Sequence, residues 1–312
     1  MYCFIPELIE LCGVDQPVNL GGHAILRRLQ SHEAAQLRTL LDPYIHARQT
    51  RGLTPWEFNQ VKIAPGQIRL EPHQDTSENI FWVVEYREET AEFDFELALE
   101  LAEPSLTPLL KVSRLNGLGF FSINHHAIIN WLDINYMADR VVMGEREISE
   151  IIEIRRLLIE FSGGFHAKWK YISQALKDFA GVKEVSLKNP LYVVGLVSII
   201  ETLLVTNHSQ KAETSLTHQF KEKLALLNNR FAQPMDLKKH FPNAVQSDLK
   251  KILGRMYSYR SDVAHGNDLI SSKSLDNLGN HKAVCNFLHE LVRKLLVQAL
   301  KEPELVADLK SC

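Results

Sequence analysis

The hydrophobic period of this chain changes once, and that change limits the architectures open to it. Between Val61 and Leu115 apolar residues tend to recur at every second position, the period of a pleated strand. From about Gly144 onward they recur every three or four positions, the period of a helix with one buried face. Strands followed by helices in blocks argue for an α+β region and then an all-α region. With 312 residues the chain is long enough for two domains with separate cores. We place an α+β domain at 1–144, a connecting helix at 145–164 and a helical bundle at 165–312.

In the first block, His32–Leu41 reads as a short helix. Ile80–Arg87 is rich in β-branched and aromatic residues. Glu92–Leu101 (EFDFELALEL) puts Phe93, Phe95, Leu97, Leu99 and Leu101 on one face if extended. The pair predicts an antiparallel β-hairpin, and Leu109–Leu115 a further strand. In the second block Gly163-Gly164 stops the connecting helix, and Phe165–Phe179 follows as a helix. Asn189-Pro190 is a start signal for an apolar helix running to Val205, predicted to be central. Glu213–Phe231, a helix capped at Ser247-Asp248, and Asn280–Leu300 complete the bundle.

Apolar residues at 45% and charged residues at 23% describe a folded chain. The first residues carry Glu7 and Glu10 and no basic start, so no secretion signal is read there. Leu191–Ile200 is too short for a membrane span. Cys3, Cys12, Cys285 and Cys312 form no zinc-ligand spacing, and a reduced, cytoplasmic setting is expected. The net charge of −3 conceals an asymmetry. Residues 163–312 hold 21 Lys+Arg against 14 Asp+Glu, and residues 1–162 hold 14 against 24. A basic half suits a polyanion, although domains also vary in charge without consequence.

The chemistry-bearing stretch is Tyr257-Ser258-Tyr259-Arg260-Ser261-Asp262-Val263-Ala264-His265-Gly266. A guanidinium can bind a phosphate, and an imidazole can give or take a proton at neutral pH. Together they support metal-free RNA cleavage. On an unbroken helix Arg260 and His265 stand ~140° apart, so convergence needs the helix to end or tighten between them. Two copies across a two-fold axis would supply an acid and a base.

YSYRSDVAHG resembles the Arg-x4–6-His signature of the HEPN superfamily, and its ApeA-like branch of bacterial defence proteins in particular. Ile199–Leu204 (IIETLL) resembles the end of that family's first core helix, and Ser215–Leu227 its second. The resemblance spans about Phe165–Leu300. It implies a dimeric helical bundle that cleaves RNA, with tRNA a reasonable target, in anti-phage abortive infection. It places Arg260 and His265 at the catalytic positions, without cofactor or metal. The N-terminal domain would then sense a phage-derived trigger or restrain activity. Ser261 departs from the Asn, Asp or His common after the Arg, and Asp262 follows it. Both are read as supporting residues. The departure keeps open a non-catalytic module that binds nucleotide, RNA or protein.

Around this pair, Glu201 either bonds and orients Arg260 or points to solvent, and His218 could line the same cleft. Lys250, Lys251 and Arg255 could grip RNA phosphates or form a solvated basic face. Tyr257 and Tyr259 could stack on bases, although Tyr257 falls on the apolar stripe. In the first block His73-x-Asp75 matches half of an iron-binding triad and His125-His126 lacks companion ligands. Trp56, Trp82 and Trp131 are read as core or contact residues.

Overall fold

A computed structural model describes residues 2–46, 58–64, 67–72, 81–86, 92–115, 118–123, 140–165, 168–206, 216–242, 248–267, 275 and 278–312. The chain forms two compact units, Met1–Arg155 and Arg156–Cys312.

The first unit is built on a six-stranded antiparallel sheet. Its strands are β1 (Tyr2–Ile5), β3 (Val18–Asn19), β4 (Ala24–Arg28), β7 (Trp82–Tyr86), β8 (Leu110–Leu115) and β9 (Leu118–Ile123), in the order β3-β4-β7-β1-β8-β9. Two smaller ladders join β2 (Leu8–Leu11) in parallel to β10 (Arg140–Met143), and β5 (Phe58–Ala64) antiparallel to β6 (Gln67–Pro72). The central strands are apolar in runs because both faces are covered. On one face Tyr2, Phe4 and Val83 pack with Leu37 and Leu41 of helix α1 (Ser31–His46). On the other lie Cys3, Ile5, Trp82, Val84 and Tyr86, with Tyr86 edge-on to Phe95 of helix α2 (Glu92–Leu101). Trp82 is therefore core.

Helix α2 overturns the hairpin expected from the alternation in EFDFELALEL. Phe95, Leu97, Ala98, Leu99, Leu101 and Ala102 are all buried, so the apolar positions do not divide into one buried and one exposed face as a half-buried strand requires. Phe95, Ala98, Leu99 and Ala102 also satisfy the i, i+3, i+4, i+7 stripe of a helix. Glu, Leu and Ala are strong helix formers, Glu and Ala are also depleted in strands, and that preference wins. The predicted strands at Ile80–Arg87 and Leu109–Leu115 are present as β7 and β8.

Helix α3 (Glu145–Glu160) follows β10 and ends in a single π-turn, Phe161–Phe165, that contains Gly163-Gly164. The second unit is a helical bundle: α4 (Lys170–Val182), α5 (Leu191–Leu204), α6 (Leu216–Asn228), a short α7 (Leu237–His240), α8 (Leu249–Ala264), α9 (His281–Lys301) and α10 (Pro303–Ser311). Helix α4 begins five residues later than Phe165 because its apolar stripe starts at Ile172 and continues through Ala175, Leu176, Phe179 and Val182. Helix α5 is buried almost all round and packs on α4, α6, α8, α9 and α10, the central place expected from its composition. Gly195 allows the close approach of α4, since a Cβ there would lie 2.8 Å from Val182 Cγ2.

Side chains mark the helix starts. Asp248 Oδ1 accepts from Lys251 N at 2.7 Å to open α8, and Asn280 Oδ1 accepts from Ala283 N at 2.9 Å to open α9. Each such cap contributes about 1 kcal/mol. No described helix is long and apolar enough to cross a membrane.

Candidate functional site

The second unit brings Arg260 to Glu201. Residues 257 and 260 of α8 are one turn apart, so both side chains face the same neighbour, the C-terminal turn of α5. Arg260 Nη2 donates to Glu201 Oε2 at 3.0 Å, and Tyr257 Oη donates to Glu201 Oε1 at 2.9 Å. The Tyr257 ring packs against Phe220 of α6 with centroids 5.3 Å apart. Burial, then the bond to Glu201, pushes the Tyr257 phenol up to about 12, so it remains a donor at physiological pH.

A carboxylate one turn from a helix C-terminus faces the negative end of the helix dipole. Two ammonium groups offset that. Lys310 Nζ donates to Thr202 O and Val205 O at 2.7 and 2.9 Å, and Lys223 Nζ donates to Leu204 O at 2.9 Å. Burial lowers the pKa of both lysines, which nonetheless serve here as donors to carbonyls that the helix leaves open.

The guanidinium is only partly used. Arg260 side-chain exposure is 25% and that of Glu201 is 19%. Arg260 Nε is buried and takes no hydrogen-bond partner among the described residues. An unsatisfied buried donor costs about 1–3 kcal/mol. Glu201 Oε1 is directed to Tyr257 and Oε2 to Nη2, so the carboxylate does not lie side-on to the Nε edge.

His265 lies at the other end of the motif. Helix α8 runs unbroken to Ala264, and His265 is its C-cap at φ −93°, ψ 0°. Gly266 follows at φ +69°, a conformation that favours glycine. Gly266 N donates to Val263 O and Asn267 N to Asp262 O, the paired bonds of a Schellman ending. The Asp262 carboxylate accepts from Asn267 Nδ2 at 3.1 Å, so it holds the helix end. Ser261 is half-buried, and its carbonyl accepts from His265 N. The helix ends at His265 and not between the two residues, which leaves Arg260 and the exposed His265 ~140° apart around its axis. No hydrogen bond joins them.

The surrounding candidates divide. Tyr259 is 1% exposed, and its hydroxyl meets His281 Nδ1 at 2.9 Å while His281 Nε2 donates to Leu187 O. It ties α8 to α9 and is closed to a base. Tyr257, read on the apolar stripe, is half-buried and serves Glu201 through its hydroxyl. That role was hidden because its partner lies 56 residues away. Lys250 is paired with Glu222, Arg255 is half-buried, and Lys251 and His218 are exposed. His73, Asp75, His125, His126, Trp56 and Trp131 lie outside the described residues. Among the described residues no three His, Cys, Asp or Glu side chains gather as a metal site.

Comparison with family models, curated proteins and solved structures returns no match.

Proposed function

We propose that the helical unit is a HEPN-type, metal-independent endoribonuclease in which Arg260 binds the scissile phosphate and His265 moves the proton. The observation that carries this reading is Arg260: a guanidinium 25% exposed and held by Glu201 through a single bond from Nη2. An exposed imidazole five residues on, at a sharply terminated helix end, supplies the second group. A second copy is part of the proposal. On one helix the two side chains stand on different sides, whereas a two-fold pair brings two arginines and two histidines to one cleft, and so both a base and an acid to one phosphate. The imidazole takes the proton from the ribose 2′-hydroxyl, the alkoxide attacks phosphorus, and the guanidinium stabilises the added charge. The leaving 5′-oxygen takes a proton from the second imidazole. RNA is the substrate class, tRNA the first target to try, and anti-phage abortive infection, triggered through the first unit, the setting.

The test is purified protein incubated with total RNA in EDTA. Cleavage that survives chelation and is lost in His265→Ala supports the reading. RNA left intact with every trigger tried overturns it. The alternative, a non-catalytic RNA- or nucleotide-binding module, is favoured by the bond Arg260 already makes to Glu201 and by Ser261 at the position after the arginine. It predicts RNA affinity that His265→Ala leaves unchanged, with no cleavage.

A further inference from the structure

Arg260 sits beside a carboxylate that could hold it far more tightly than it does. A carboxylate facing a guanidinium ordinarily closes with two parallel bonds, one to each oxygen. Here only Nη2 is bonded, and the adjacent Nε stays buried without a partner among the described residues. The oxygen that would reach Nε, Glu201 Oε1, is held by the Tyr257 hydroxyl at 2.9 Å. The Tyr257 ring is itself fixed against Phe220, and the Arg260 guanidinium lies 5.7 Å from its centroid. A phenol on a packed ring, one turn before the arginine, therefore decides how the carboxylate is shared.

We propose that Tyr257 is a positioning residue for Arg260: by drawing one oxygen of Glu201 to its own hydroxyl it turns the carboxylate away from the side-on fit that would meet both Nε and Nη2. The guanidinium then keeps more of its charge available to a phosphodiester, so the ligand half of this inference rests on the reading of Arg260 given above. Tyr257 touches no substrate. It acts through Glu201, and removal of its hydroxyl tightens the ion pair it now limits.

The experiment reads the Arg260 Nε–Hε resonance in ¹⁵N–¹H spectra, assigned by its loss in Arg260→Lys. In Tyr257→Phe, which retains the packed ring, the signal is expected to move downfield as the carboxylate closes on Nε. Glu201→Gln combined with Tyr257→Phe returns it toward the wild-type position, because no carboxylate remains to close. Affinity for a 2′-O-methyl oligoribonucleotide, which cannot be cleaved, is expected to fall about fivefold in Tyr257→Phe and not when Tyr257→Phe is added to Glu201→Gln. An unmoved Nε signal in Tyr257→Phe overturns the proposal, as does a moved signal with unchanged oligonucleotide affinity. A shifted signal and weakened binding in a wild-type protein that cleaves no RNA would uphold this inference while removing the nuclease.

Discussion

The two units each contain an arginine set against a glutamate, and they use it differently. In the first unit Arg27 Nε donates to Glu85 at 2.7 Å, Nη1 to Glu33 and the Arg28 carbonyl, and Nη2 to Glu33 at 2.7 Å. Glu33 also accepts from Gln30 N, so the start of α1 is fixed locally as well as through Arg27 of β4. Each nitrogen of that guanidinium is engaged by the protein. In the second unit Arg260 gives one bond to Glu201 and leaves Nε without a partner among the described residues. A saturated guanidinium is a structural clamp. An under-used one, held at a single point, has capacity for something else.

Exchanging the roles of these two arginines would break that comparison. The largest effect is expected on activity: Arg260→Ala should cut RNA cleavage about a hundredfold, because the charge that develops on the phosphate loses its partner. Assay of the folded variant in EDTA checks this. Arg27→Ala should leave cleavage intact in the folded fraction. Its effect is on stability, a loss of about 3 kcal/mol in urea unfolding of the sheet unit, since Glu33 is only 5% exposed and would be left unpaired. Arg260→Ala should cost about 1 kcal/mol in urea unfolding of the helical unit, as its pair is more open to water. Equal losses at the two sites would erase the distinction.

The carboxylates of the first unit sharpen the contrast through pH. Burial pushes Glu7 up to about 7 against the hydrogen bond from Thr107, so the folded unit favours its neutral form. Its contribution is fully present below about 4.5, the ordinary glutamate value, and is lost as pH rises through about 7. Glu33 has the opposite sign. Burial raises its pKa, but the bonds from Arg27 and Gln30 outweigh burial and hold it low, so its contribution is lost as pH falls below the ordinary glutamate range. Thermal melts of the wild type should show stability declining between about pH 5 and 8, and Glu7→Gln should lose that decline. An unaltered profile would remove Glu7 as its cause. The smallest effect is expected at Lys251, exposed on α8. Lys251→Ala should leave stability unchanged and reduce the slope of log affinity for RNA against log salt by about 1 if it meets a phosphate.

Much of the second unit was legible in the chain because its signals are local. Asp248, Asn280 and Gly266 sit where caps and a left-handed stop are needed, and each acts within three residues of its own position. The apolar run of α5 announced a helix touched from all sides. The first unit was harder. The strands β7 and β8 were readable from β-branched and aromatic content, but EFDFELALEL fits both periods when Phe95, Leu97, Ala98, Leu99 and Leu101 are all buried.

By itself the sequence determined the order of a strand-rich and a helical block and the helix ends marked by Asp248, Asn280 and Gly266. Tertiary structure decided that residues 92–101 are a helix, that Tyr259 is closed off, and that Glu201, 59 residues from Arg260, meets it and shares itself with Tyr257. The physical reason is range. Caps, turns and propensities act over one or two helical turns, whereas the balance of hydrogen bonds around a half-buried carboxylate exists only once distant helices have packed.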